Sequence, residues 1–219
     1  MTNDQGLMTN IYQGQFGEFT ITDRDRQEVT IYRGGLVVAA ISFTLASALI
    51  LGRGATPLIL NLVTALYGLF VAGLAVSLTT IHIYLKPLHR LLQIFLGIGA
   101  IASVVFAVRS PQPLALFVYN HPLSLLGVGF TFAALTGIFF KEGFCFQRLE
   151  TRILTPLVPI LLLGHLVGAL PANIEQGLLA VWSGLFLVFA FRKCIQPIPP
   201  DIGDKSVFEY LKQQKTAQS

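Results

Sequence analysis

The sequence predicts an all-α polytopic membrane protein of six transmembrane helices, with both termini on the cytoplasmic or stromal side. Three observations predict it. Six apolar stretches, free of charge apart from Arg90 near the start of the third, occupy residues 35–51, 57–84, 88–108, 123–140, 153–170 and 177–191. Most are long enough, at about 1.5 Å per residue, to cross roughly 30 Å of hydrocarbon. Charged residues make up only 12% of the chain, hydrophobic residues 53%, and the mean hydropathy is +0.68. A soluble domain carries about twice that share of charge. Finally, the Lys and Arg residues alternate: Arg53 and Arg109 are the only two in the first, third and fifth gaps, and all others lie in the N-terminal segment, the second and fourth gaps and the C-terminal tail. That bias is the one left by insertion with basic loops retained on the cytoplasmic side.

The organisation is a terminal segment over 1–34, a membrane domain over 35–191 and a tail over 192–219. The net charge of +4 follows from the sorting of basic loops and needs no nucleic acid as partner. The first 35 residues lack the basic and apolar regions of a cleaved signal, so the first membrane helix directs insertion. Phe16, Phe19 and Ile21 alternate with Glu18 and Thr20, which predicts a short strand. Thr22 followed by Asp25 predicts a helix start that runs on into span one. Pro57, Pro87 and Pro122 fit the first turns of spans two, three and four. Residues 111–122, too short to cross and bounded by prolines, form an interfacial or re-entrant segment or the ragged start of span four. Span six is the shortest and extends back towards Ile174. After the breaker QPIPPDIG, Asp204 caps a short amphipathic helix with Val207, Phe208 and Leu211 on one side. That helix lies on the membrane surface, docks a partner, or simply frays. No internal repeat relates the two halves, which disfavours an inverted-repeat transporter.

Small residues recur four apart in several spans: Gly68 and Ala72, Gly129, Ala133 and Gly137, Gly164 and Gly168, Ala180 and Gly184. In lipid such stripes let helices approach closely, within the bundle or towards a partner. His165, placed mid-span beside Gly164, should face protein. It reads as a hydrogen-bonded group, a proton relay or an axial ligand of a tetrapyrrole metal, so chlorophyll or carotenoid binding stays open as a cofactor expectation. His82 and His89 flank Lys86 at the basic boundary and suggest a headgroup-facing surface in preference to a metal site. His121 reads as a turn residue. Cys145 and Cys194 fall on the basic side and belong to no CxxC pair. Neither HExxH, GxSxG, GxxxxGK[ST] nor GxGxxG occurs, so no catalytic residue, metal ligand set or enzyme activity is expected.

Three segments carry a resemblance: YQGQFGEFTITDRDRQEVTIYRGGL (12–36), GIFFKEGFCFQRLET (137–151) and LLLGHLVG (161–168). They resemble a small integral membrane family of unknown function from cyanobacteria and plastids. The resemblance implies a thylakoid or plasma membrane, and a role as an assembly or accessory factor of a photosystem. The chain is then expected to bind membrane lipid and photosystem subunits or assembly intermediates. Phe16, Phe19, Arg33, Lys141, Glu142, Phe144, Phe146, Gly164 and Gly168 are the expected partner-binding residues, with Glu142 pairing to Arg148 or Arg152. A small-solute carrier or channel is the alternative, but the spans offer only Asn61, His165 and scattered Ser or Thr for a polar path. A pigment-binding protein with His165 as ligand is the other.

Overall fold

The computed structural model describes residues 11–217. The chain enters as an antiparallel hairpin, β1 (Ile11–Gly14) and β2 (Gly17–Thr20), closed by a two-residue turn with Gly14 opposite Gly17. Nine helices follow among the described residues: α1 (Asp23–Arg53), α2 (Pro57–Thr80), α3 (Lys86–Arg109), α4 (Leu114–Asn120), α5 (Leu125–Phe146), α6 (Leu149–Leu166), α7 (Ala172–Ile195), α8 (Pro199–Ile202) and α9 (Ser206–Ala217). Six of them, α1, α2, α3, α5, α6 and α7, are long and apolar enough to span a membrane. The expected all-α class with six helices able to cross a membrane is what is found.

The local starts are those the sequence predicts. Thr22 and Asp25 form a reciprocal cap: Thr22 Oγ1 accepts from the Asp25 amide at 3.2 Å, and Asp25 Oδ2 accepts from the Thr22 amide at 2.7 Å. The pre-helix and span one are one continuous helix of 31 residues. At 1.5 Å per residue α1 is about 46 Å long, so roughly ten residues of it stand outside a 30 Å hydrocarbon layer. The segment after Arg109 folds as the short α4 and a single 3₁₀ turn, Pro122–Ser124, ahead of α5. The breaker QPIPPDIG contains α8, one turn started by Pro199 and ended by Gly203 at φ +71°.

Spans four to six differ from their expected limits at both ends. Helix α5 continues two turns beyond Phe140, because KEGFCF keeps helical contacts and stops only where Gln147 turns left-handed at φ +50°. Helix α6 ends at Leu166, short of Leu170. Gly168 adopts φ +66°, its amide reaches His165 O at 3.1 Å, and the Ala169 amide reaches Gly164 O at 2.9 Å. Those paired bonds are a Schellman terminator. Gly164 and Gly168 thus end a helix and do not line a packing stripe, and a Cβ on Gly164 would collide with the Leu170 side chain.

Close helix packing comes from other glycines. Helix α1 crosses α2 where a Cβ on Gly35 would sit 2.6 Å from Gly73 O, and a Cβ on Gly73 2.6 Å from Gly35 O. One turn away, Ser77 Oγ donates to Tyr32 O at 2.9 Å, so the two backbones are also tied by a hydrogen bond. Helix α3 meets α5 at Gly99 and Thr131, and α5 meets α3 at Gly137 and Leu92. Gly68 and Gly184 face open space. The core is aromatic: Phe43 lies 4.4 Å from the Trp182 ring, and Phe139 packs edge-on against Phe186 and Phe189. Ile94, Ile98, Ile101, Val104 and Val108 leave an exposed stripe on α3, as a lipid-facing helix should.

The hairpin and the C-terminal elements fold onto one another at the basic end. Asp204 Oδ2 accepts from the Gln15 amide at 2.6 Å, Ser206 Oγ accepts from the Phe16 amide at 3.0 Å, and Phe16 stacks on Tyr210 at 4.2 Å. Gly14 is required here, since a Cβ would overlap the Asp204 carboxylate and Ser206 hydroxyl. Tyr84 donates to Ile202 O, and burial raises its pKa above the ordinary phenol range, keeping the donor protonated.

Two outcomes follow from these contacts. Gly73→Val should destabilise the detergent-solubilised protein by about 1–3 kcal/mol in equilibrium unfolding, whereas Gly68→Ala should change stability by no more than about 0.5 kcal/mol. Hydrogen bonds from Ser206 and the Gln15 amide hold the Asp204 carboxyl below its usual pKa. A depressed carboxylate contributes stability that is present above the unfolded value of about 3.9 and lost as pH falls through the folded value. Exchange protection of the Gln15 and Phe16 amides, corrected for intrinsic rates, should therefore drop below about pH 4. Asp204→Ala, which leaves no side-chain acceptor, should remove it at neutral pH; unchanged protection in that variant would refute the assignment.

Candidate functional site

The densest polar chemistry is a buried ion cluster at the basic ends of the helices. Lys193, in the last turn of α7, is wholly buried and ion-paired to Glu142 of α5 and Asp201 of α8. Arg33 of α1 forks onto Asp201 Oδ2, with Nε at 2.9 Å and Nη2 at 2.6 Å. Its remaining hydrogens reach Gln196 O at 2.7 Å and Pro197 O at 3.0 Å. Tyr32 Oη donates to Glu142 Oε1 at 3.1 Å, and Lys141 Nζ donates to the same oxygen at 2.9 Å. The Phe146 ring lies 4.1 Å from Lys193 Nζ, within cation–π range. A second cluster joins α6 to α7: Arg192 bonds Glu150 at 2.9 Å, and Arg148 Nη2 donates to Gln196 Oε1 at 2.6 Å.

The arrangement satisfies the charges internally. A buried ion is tolerated only when paired and hydrogen-bonded, and each ion of the first cluster is. Glu142 pairs with Lys193 and Lys141, not with Arg148 or Arg152 as the sequence suggested, because it lies on the inner face of α5. Arg33 and Glu142 are therefore internal fasteners, and Phe146 packs over Lys193. Lys141 lies mostly covered beside Glu142. Among the expected partner-binding residues, Phe144 is 81% exposed and Phe16 42% exposed. Phe19 stacks on Tyr12 at 5.6 Å and packs with Ile21, Val29 and Ile202. Cys145 and Cys194 are both exposed and unpaired.

Two further polar groupings were not foreseen from sequence. His82, in the α2–α3 connection, lies 3.8 Å from Asp25 and 3.5 Å from Glu28 through Nε2. These three could in principle hold a metal ion. Lys205 already neutralises Asp25 at 2.9 Å, and His82 Nδ1 is buried without a hydrogen-bond partner. A ligating imidazole ordinarily donates its second N–H to an acceptor, so the grouping suits hydrogen bonding better than coordination. On the opposite side, His165 sits in the last turn of α6, not mid-span. Its Nδ1 lies 2.7 Å from Glu175 Oε1 and its Nε2 3.1 Å from Tyr119 O, while the Tyr119 ring stacks on the imidazole at 4.9 Å. Both ring nitrogens are therefore engaged by polar neighbours, and neither faces an open position for an axial bond to a tetrapyrrole metal. Glu175 escaped notice because it lies before the expected start of span six. His89 Nε2 contacts Leu78 O at 2.6 Å, and His121 Nδ1 contacts Phe117 O at 3.0 Å, a turn role for the latter.

A cavity of about 200 Å³ opens between α1, α2, α4 and α5, walled by Phe43, Tyr67, Phe70, Leu114 and Phe132. Neither Asn61 nor His165 lines it, and Tyr67 Oη is turned to Ser103 and Thr131 at 2.7 and 3.1 Å. Ser42, Ser47 and Thr64 also line it, but most of its wall is apolar and suits apolar matter.

The ion cluster has a direct test. Lys193→Met leaves Glu142 and Asp201 with too little positive charge and should cost about 3–5 kcal/mol, whereas Lys193→Met with Glu142→Gln should cost clearly less than the sum of the single changes. A double-mutant cycle that closes within about 0.5 kcal/mol would show that the pair does not couple.

Comparison with known proteins agrees with this architecture. Residues 76–210 match the model of a family described as uncharacterized integral membrane protein, DUF2301. The chain is 31% identical over 186 residues to an uncharacterized protein of Haemophilus influenzae, covering 84% of this chain and 92% of that protein. The relationship therefore reaches beyond the cyanobacteria and plastids that the sequence motifs implied. No solved structure matches the chain. With more than half its length matched by the family model and a relative aligned over nearly its whole length, the chain belongs to the DUF2301 family of integral membrane proteins of unknown function.

Proposed function

We propose that the chain is a non-enzymatic membrane protein that binds other membrane proteins through its basic face, which the sorting of Lys and Arg assigns to the cytoplasmic or stromal side. One observation carries this reading. At the basic ends of α5, α6 and α7, Phe144, Leu149 and Ile195 are 81%, 68% and 84% exposed, on helices whose inner faces are locked by the buried ion clusters. A rigid, charged surface that presents large apolar side chains loses little conformational entropy on binding. Phe16, stacked on Tyr210, extends the same face through the hairpin and α9.

In a photosynthetic membrane, the setting the sequence motifs imply, the partner is a photosystem subunit or assembly intermediate, held until later subunits bury the same patch. The uncharacterized Haemophilus relative bears only on membership of an integral membrane family, and a photosystem cannot be the partner there. Engagement of both His165 nitrogens weighs against a pigment ligand at that position, and the apolar cavity weighs against a carrier.

Photo-crosslinking residues placed at 16, 149 and 195 should each give an adduct with one discrete membrane protein in the native membrane. The same residue at Leu123, 74% exposed at the opposite end, should not. Phe16→Ala and Ile195→Ala should weaken the adduct about tenfold without loss of thermal stability, as truncation of exposed interface anchors does. Adducts of equal strength from 123, or none from the basic face, would sink the proposal.

A further inference from the structure

Between the last turns of α5 and the first turns of α6 lies a second hollow, a groove of about 640 Å³. Phe140, Phe144, Gln147, Arg152, Thr155 and Pro156 line it. Its mouth is polar and its depth apolar. Arg152 is exposed at the basic end. Arg148 and Arg192 both engage Glu150, but Arg152 has no carboxylate or other side-chain partner among the described residues. Gln147, held left-handed at the end of α5, likewise offers an amide with no side-chain hydrogen bond. Prolines supply the remaining acceptors: Pro156 and Pro159 lie inside α6 and have no amide hydrogen, so the carbonyls of Arg152 and Thr155 lack their ordinary donors four residues on. Below this mouth Phe140 and Phe144, 57% and 81% exposed, form the wall.

We propose that this groove binds one anionic phospholipid. The phosphate sits on the Arg152 guanidinium, hydroxyls of the headgroup meet Gln147 and the proline-freed carbonyl of Arg152, and an acyl chain lies along Phe140, Phe144 and Pro156. Charge complementarity selects the headgroup: the groove opens on the basic face, which by the orientation argument meets the leaflet enriched in anionic lipid, and its one unpaired cation stands at headgroup level. Depth selects a lipid over a polypeptide. From Gln147 to Phe140 the wall descends about 10 Å along α5 into hydrocarbon. A protein segment there must satisfy its own backbone groups, whereas an acyl chain has none to satisfy. The inference does not depend on a protein partner, although Phe144 forms the rim of both surfaces.

Native mass spectrometry of the protein released from bilayers of equal phosphatidylglycerol and phosphatidylcholine tests it. The wild type should retain one phosphatidylglycerol in preference to phosphatidylcholine. Arg152→Gln should reduce that retention about fivefold, the factor corresponding to one basic residue at a membrane surface, with unchanged thermal unfolding because Arg152 supports no internal contact. Phe144→Ala should lower retention of both lipids alike. Millimolar inorganic phosphate should not displace the bound lipid. Equal retention of the two lipids, no effect of Arg152→Gln, displacement by phosphate, or a polypeptide in place of lipid crosslinked from position 152 would each overturn the proposal.

Discussion

Lys193 and the two carboxylates that hold it are the constraint on which the basic half of this protein depends. An ammonium placed at the inner surface of a bundle is stable only while Glu142 and Asp201 stay in place. Each carboxylate recruits its own helix: Glu142 brings α5 and, through Tyr32, α1, while Asp201 brings α8 and, through Arg33, α1 again. Helix α8 then positions Asp204 and Ser206 to clasp the hairpin. A chain of contacts thus runs from one buried ammonium to the first described strand. Truncating one link leaves another ion uncompensated, so the face should loosen as a unit.

The two ends of the bundle are built on different principles. At the basic end, polar side chains join elements distant in sequence, and the order they impose is directional because forked hydrogen bonds have fixed geometry. At the opposite end, α4, the Schellman turn after α6 and the start of α7 are joined through one histidine. Between them the helices are held by glycine contacts and aromatic packing, as suits an interior whose surroundings are as apolar as itself. Surplus exposed apolar surface on α3 belongs to lipid. The large apolar side chains at the basic end stand beside charges, where the bilayer gives way to headgroups. That difference in setting makes them candidates for recognition and leaves the α3 stripe as bilayer contact.

Fold class was legible because it follows from two one-dimensional quantities, hydropathy and the positions of Lys and Arg. The α1 cap, too, is a local signal, complete within Thr22 to Asp25. The ion cluster was not legible. Arg33 and Asp201 lie 168 residues apart, and Asp201 sits in a proline-rich stretch that reads as a breaker. Lys193 counted only as one of the basic residues of the C-terminal tail, since its charge alone cannot say whether its helix face points inward. Glycines misled in the same way: spacing of four suggested Gly164 and Gly168 as a packing stripe, while the contacts that matter at the first crossing, Gly35 and Gly73, belong to different helices. Only three-dimensional pairing distinguishes a glycine that admits a neighbour from one that ends a helix.

Family membership adds a constraint on what kind of function fits. The matched region begins at residue 76, within α2, and so contains Glu142, Lys193 and Asp201 but neither Tyr32 nor Arg33. The matched segment alone therefore holds the three ions in contact, and α1 completes their hydrogen bonds from outside it. A catalytic centre would want its ionisable groups reachable by substrate, whereas these are sealed behind Tyr32, Phe146 and α8. Sealed charges of this kind fix the shape of the surface above them. The exposed groups nearest to them, Phe144, Gln147 and Arg152, are those to which the proposed docking and lipid binding are assigned, and the buried cluster anchors the helix that carries Phe144. Differences in partner between one membrane and another can then arise from such outward residues without disturbing the ions behind them.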